Sequence, residues 1–331
     1  MINRDNWKNI RAYLDYRRDV DLISNSSLKL EKTWLLHVLQ WADDVSFQRI
    51  QKIRPSFPQY IRDLGVSPVY VSHVIRSAHR FFSWLVKHRR GYGFISAAWL
   101  DTIKAPSMII EERSHQAVTI EEVRAIASAP VSTLRDCRIR AAAVFWFLSG
   151  IRIGAFVTLP VSAVDLQNLT IKQYPRLGVK TKNKKHATTF LLDIPDLLEC
   201  VRAWDAEIRA AGSLFWFAPF SPETGMIDLF HDHVGQHRNI RARKDLADWL
   251  ARVGLPYRSP HKFRHGHAVY ALKQARTVSA LKAVSQNLMH SSLKVTDGIY
   301  AILDDLDVRN EIQNLGKTDD DLLRRLRDLL K

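Results

Sequence analysis

The run Pro260-His261-Lys262-Phe263-Arg264-His265, followed by Leu288-Met289-His290 and then Tyr300, gathers an arginine, several imidazoles and a phenol into one short region. An arginine offers a planar fork of donors to two phosphate oxygens. Imidazoles donate to the remaining oxygens or move protons, and a phenol oxygen can attack as a nucleophile. The set suits work on a phosphate ester. Ser259-Pro260 reads as an N-cap and first helical position, which puts His261 and Arg264 on one face of a helix's first turn. On the same helix His265 and His267 are expected to point elsewhere.

Upstream, Arg152 follows the apolar run 141–148 and Gly150. The run reads as a buried helix that the glycine ends, so packed backbone anchors Arg152 on its N-terminal side. After Arg152 the period changes from helical to alternating. Residues 169–174, 176–180 and 188–192 read as three short strands, with the basic turn 182–186 between the last two. Downstream, 195–211 reads as a helix closed by Gly212, and Leu246, Trp249, Leu250 and Val253 mark another that ends at Gly254. Val278, Leu281, Val284 and Leu288 form the packing stripe of a helix that sets His290 at its end. His231, His233 and His237 lack nearby cysteine and read as structural or DNA-facing rather than as a zinc site.

The first hundred residues are helical by period. Trp7, Ile10, Tyr13 and Leu14 mark one helix. Leu28, Leu35, Leu36 and Leu39 mark a second, entered through a cap region at 25–27. Ser67-Pro68 opens a long third helix with a stripe of Val71, Val74, Ile75, Ala78, Phe81, Phe82 and Leu85. Arg76 and Arg80, with Lys87, Arg89 and Arg90, fall off that stripe and are candidates to lie against a phosphate backbone, the alternative being a solvated helix face. Residues 104–116 read as a linker, after which Thr119 starts a new helix with acids in its first turn.

Composition agrees. The 331 residues are enough for two cores, and 49 Lys+Arg against 34 Asp+Glu give a net charge of +15, which favours a polyanionic partner. Cys137 and Cys200 lie in apolar helical contexts and read as reduced, buried thiols of an intracellular protein. No apolar run approaches the length of a membrane span, and no signal peptide opens the chain.

Taken in order, Arg152, a lysine near Lys180, His261-x-x-Arg264, His290 and Tyr300 resemble the catalytic signature of the tyrosine recombinases, the phage-integrase family. The resemblance spans roughly 118 to 302, and the preceding helical region is similar to the family's core-binding domain. It implies a mainly α fold with a small antiparallel β-sheet. It also implies a helical DNA clamp over 1–105, a linker over 106–116, a catalytic domain over 117–316, and a C-terminal helix over 317–331 that is exchanged between protomers or docks on its own domain. The implied activity is site-specific strand exchange on double-stranded DNA by a homo-oligomer, a tetramer on paired sites, located in the cytoplasm and needing no cofactor, metal or membrane. Tyr300 would form a 3′-phosphotyrosyl link. Arg152 and Arg264 would hold the non-bridging oxygens with help from His290, and His261 would act as base or relay. Lys180, with Lys182 in reserve, would protonate the leaving strand, while Lys182, Lys184 and Lys185 reach the DNA from their turn. A nicking-closing enzyme of the type IB topoisomerase kind and a DNA-binding protein with a decayed site are the alternatives. Three departures bear on them: Ala155 stands where the family carries an acid, Met289 where it carries glycine, and the step from His290 to Tyr300 is one residue longer than usual.

Overall fold

A computed structural model describes residues 2–105, 117–229, 235, 237–275 and 277–289. The chain divides into two compact units, 1–113 and 114–331. The linker stretch 106–116, the histidines 231 and 233, and everything from His290 onward, including Tyr300 and the leucine-rich stretch 317–331, lie outside the described residues.

The first unit is helical: α1 (Arg4–Asp19), α2 (Asn25–Ala42), α3 (Phe57–Asp63), α4 (Pro68–His88) and α5 (Ala97–Thr102), with a 3-10 turn at Phe47–Lys52. Each start has a local cause. The Asn3 side chain accepts from the backbone of Asp5 and Asn6, and Ser67 Oγ accepts from Tyr70 N ahead of Pro68. The cap of α2 is Ser24, one residue before the expected region. All seven residues of the α4 stripe are buried, joined by Ile10, Tyr13, Leu14, Leu35 and Leu39. Leu36 departs from expectation and stays exposed. One charged group among the described residues is buried in this unit: Glu31, whose carboxylate accepts from Tyr13 Oη at 3.0 Å and Arg17 Nε at 3.0 Å and pairs with Arg80 at 3.2 Å. Burial, and then the Glu31 charge, push the Tyr13 phenol well above its ordinary pKa.

The second unit is built round one helix. Its elements are α6 (Ile120–Ser128), α7 (Leu134–Ser149), α8 (Ile153–Phe156), β1 (Val164–Asp165), β2 (Thr170–Gln173), β3 (Ala187–Phe190), α9 (Pro195–Ala210), α10 (Arg238–Arg252), α11 (Pro260–Gln274) and α12 (Val278–Asn287). The last nine residues of α7, from Ala141 to Ser149, are buried. A helix apolar all round has to be covered on every side. Neighbours α6, α9, α10 and α11 supply that cover. The start of α6 carries a reciprocal capping box between Thr119 and Glu122.

The sheet corrects the sequence reading. It is antiparallel with order β1-β2-β3, and its register pairs Val164 with Ile171 and Ile171 with Thr189. Residues 176–180 are not a strand. Pro175 opens a 3-10 turn and Gly178 follows it with φ +82, so the chain curls away before a ladder can form. The third strand is Val164–Asp165, too short to show a period. Among the stripe residues of α12, Leu288 is fully buried and Val284 partly so, whereas Leu281 is exposed.

Candidate active site

Gly150 ends α7 in the left-handed conformation, φ +60. A side chain there is excluded twice, because a Cβ would also lie 2.7 Å from the His267 ring and 2.8 Å from Leu288. The tight stop brings Arg152 in two residues later as the half-buried N-cap of α8. The Arg152 carbonyl accepts from Ala155 N and Phe156 N, both at 3.0 Å, which fixes the backbone that carries the side chain.

Arg264 sits on α11, 3% exposed, and its two terminal nitrogens reach in different directions. One donates to the Gly150 carbonyl and the other to the Leu288 carbonyl at 2.6 Å. A single guanidinium therefore ties the entry to Arg152 to the end of α12. From there Met289, with φ +53, leads into His290. Glycine adopts that conformation freely and methionine does not.

Lys180 is exposed, yet its backbone is tied to the same place. Its N–H donates to Thr158 Oγ1 at 2.9 Å, and Thr158 in turn donates to the Ala155 carbonyl at 3.0 Å. Beyond it the exposed Lys182, Lys184 and Lys185 form a turn closed by the Thr181 hydroxyl donating to the Lys185 carbonyl. Asn183 and Lys184 both take positive φ there.

His261 is exposed, one turn before Arg264, as the spacing requires. His265 does not point elsewhere: its Nε2 lies 2.9 Å from His261 Nε2. One ring must donate and the other accept, so the two are not both doubly protonated. The signal was present in the sequence, since residues four apart share a helix face. His267 does turn away. It is buried, donates from Nδ1 to the Phe147 carbonyl at 2.8 Å, and burial pulls its pKa down to about 4. Ser259 occupies the cap position without a side-chain cap bond. Thr158 was not foreseen, because nothing in its sequence context marks it.

The structure thus ties Arg264 to Gly150 and the Lys180 backbone to Thr158, on the segment 150–158 that bears Arg152, with His261 one helical turn from Arg264. Ala155 lies 2% exposed among apolar neighbours. In the first unit Arg76 is exposed, while Arg80 is half-exposed and committed in part to Glu31. Among the described residues no group of three His, Cys, Asp or Glu is placed to hold a metal ion, and no helix is long and apolar enough to cross a membrane.

The model of the phage integrase family matches residues 116–306, more than half of the chain and a stretch that contains every candidate from Arg152 to Tyr300. The chain belongs to the phage integrase family. It is a site-specific tyrosine recombinase, an enzyme class that breaks and rejoins DNA. No curated protein sequence matches the recombinase. Among solved structures it is similar to the XerH site-specific recombinase bound to a palindromic difH substrate in a post-cleavage complex, with TM-score 0.62, 14% identity, and coverage of 93% of this chain and 84% of that one. A lambda integrase dimer bound to a COC′ core site gives TM-score 0.59 at 13% identity, covering 91% and 95%. The Tn1549 transposon integrase in complex with circular intermediate DNA gives 0.58 at 14%, covering 93% and 99%. At these identities the likeness is one of fold.

Proposed function

We propose that the recombinase exchanges strands between two double-stranded DNA sites through a 3′-phosphotyrosyl intermediate formed by Tyr300. The observation that carries this reading is the forked Arg264, which holds together the segment bearing Arg152 and the chain entering His290. In this reading the Tyr300 oxygen bonds to phosphorus as the bond to the 5′ oxygen breaks. Arg152, Arg264 and His290 stabilise the charge that grows on the non-bridging oxygens. The phenol proton passes to His261, whose ring is oriented by His265. Lys180, anchored through Thr158, delivers a proton to the leaving oxygen. Reversal by a second 5′ hydroxyl conserves the bond energy, so strand exchange needs no nucleotide.

At the coarser level, residues 1–105 act as a clamp on the duplex with Arg76 at its surface, 106–116 link it to the catalytic domain, 117–316, and the basic turn Lys182, Lys184 and Lys185 reaches the backbone. Four protomers assemble on paired sites, with 317–331 passing between neighbours, and the enzyme works in the cytoplasm at the nucleoid. A supercoiled plasmid carrying two copies of the sequence that flanks the recombinase's own gene tests the activity. Recombinant circles are expected. Relaxation of the plasmid with no recombinant product would favour nicking and closing alone.

A further inference from the structure

We propose that the second unit carries another oxyanion site, remote from Arg152, in which four arginines take a phosphate group. It is a cleft of about 340 Å³ lined by Arg135 and Arg138 of α7, Arg238 and Arg241 of α10, and Pro219 and Phe220 of the loop between. Arg138 lies eleven residues before the end of α7. At 1.5 Å per residue that is about 17 Å along the helix from its last residue, Ser149.

Among the described residues the charge in this cleft is not balanced from within. Arg138 is 3% exposed, donates to the Ala218 carbonyl and to Asp245 at 2.6 Å, and packs its guanidinium 4.0 Å from the Phe217 ring centre and 4.5 Å from that of Phe220. Arg241 turns to the same carboxylate at 2.9 Å. Arg238 donates to the Phe217 carbonyl, and Arg135 lies over the Phe220 ring. Asp245 is the one carboxylate these four arginines contact among the described residues, and the Nε atoms of Arg138 and Arg238 are buried without a hydrogen-bond partner. Burial pulls the Arg138 guanidinium down to about 9 against the pull of Asp245, and the three neighbouring arginines add to the drop. Like charges held this close in a partly dry cleft call for a counter-charge. A tetrahedral oxyanion fits best, because planar guanidinium forks pair with two of its oxygens at a time and Arg238 and Arg241, at the start of α10, both line the cleft.

Two sources present this chemistry, a free phosphate or phosphorylated metabolite and a backbone phosphate of duplex DNA. The second source rests on the reading of function above; the first does not. The test uses the full chain and the double variant Arg135→Gln/Arg241→Gln, which leaves the Arg138–Asp245 pair in place. Thermal unfolding is followed in sodium phosphate against chloride at equal ionic strength, and duplex binding is followed against salt. A midpoint that rises by about 3 °C or more with phosphate, with the half-maximal concentration shifted at least about tenfold in the double variant, identifies a free phosphate ligand. An equal rise in both proteins places the anion elsewhere and overturns the proposal. With no rise, a slope of log binding against log salt shallower by about one in the double variant, and unchanged in the control Arg243→Gln/Lys244→Gln on the same helix, identifies a backbone phosphate. No rise together with an unchanged slope, or one reduced equally by the control, overturns the proposal. If no duplex is bound at all, the reading of function fails and the phosphate response alone decides.

Discussion

Arg264 directs two donors into the protein, to the carbonyls of Gly150 and Leu288, so replacing it removes internal bonds as well as a ligand for phosphate. Arg264→Lys keeps the charge but loses the fork, leaving at least one buried carbonyl unpartnered. The expected cost is about 1–3 kcal/mol of stability besides the loss of cleavage. Urea titration measures it, and an unchanged midpoint would show that the fork is not structural. His267 offers a pH test. Its folded pKa is depressed to about 4 from an ordinary value near 6.5. The unfolded chain therefore binds the proton first, and stability present above pH 6.5 is lost as pH falls toward 4, by roughly 3 kcal/mol. His267→Gln should flatten that part of the stability profile, and a variant as acid-sensitive as the parent would contradict the assignment. At this scale the sequence was legible where neighbours on one helix decide the outcome, as for His261 with Arg264. The His265 contact with His261 obeyed the same spacing and was missed. The partners of Arg264 lie on two other elements, and no local pattern announces them. Glu31 is similar, since periodicity assigns a glutamate to the surface while four donors from α1 and α4 make its burial tolerable.

Elements whose burial is one-sided or complete were readable. The α4 stripe and the glycine stop of α7 follow from side-chain size and backbone freedom alone. The sheet was half readable: 170–173 and 187–190 alternate as strands do, but 176–180 alternates too and is held off the ladder by Pro175 and Gly178. Close helix approach is another feature that period does not show. On α11, Gly266 faces the backbone of Val118, and a Cβ there would sit 2.2 Å from the Val118 carbonyl oxygen. Backbone cannot swing aside as a side chain does. Gly266→Ala is expected to destabilise by about 1–3 kcal/mol, whereas Gly154→Ala, whose Cβ would meet Lys180 O at 3.8 Å, should be nearly silent. Melting temperatures of the two variants check the contrast, and equal effects would contradict it.

For the whole molecule, the net charge of +15 and the two separate cores agree with a protein that lies along a polyanion, and duplex binding should weaken steeply with salt. Function was legible from order rather than from any single motif, because Lys180 and Arg264, far apart in sequence, are tied to the segment 150–158 that bears Arg152 by contacts that sequence does not display. The most direct test concerns the nucleophile. The protein is incubated in excess chelator with duplex DNA from the flanks of its own gene, nicked near the candidate sites so that cleavage cannot reverse, and resolved on a denaturing gel beside Tyr300→Phe. A shifted, protease-sensitive DNA band that forms with the parent and not with Tyr300→Phe is the expected result. An adduct that survives the substitution would place the nucleophile elsewhere, and tight site-specific binding with no adduct from either protein would mark a DNA-binding protein that has lost its chemistry.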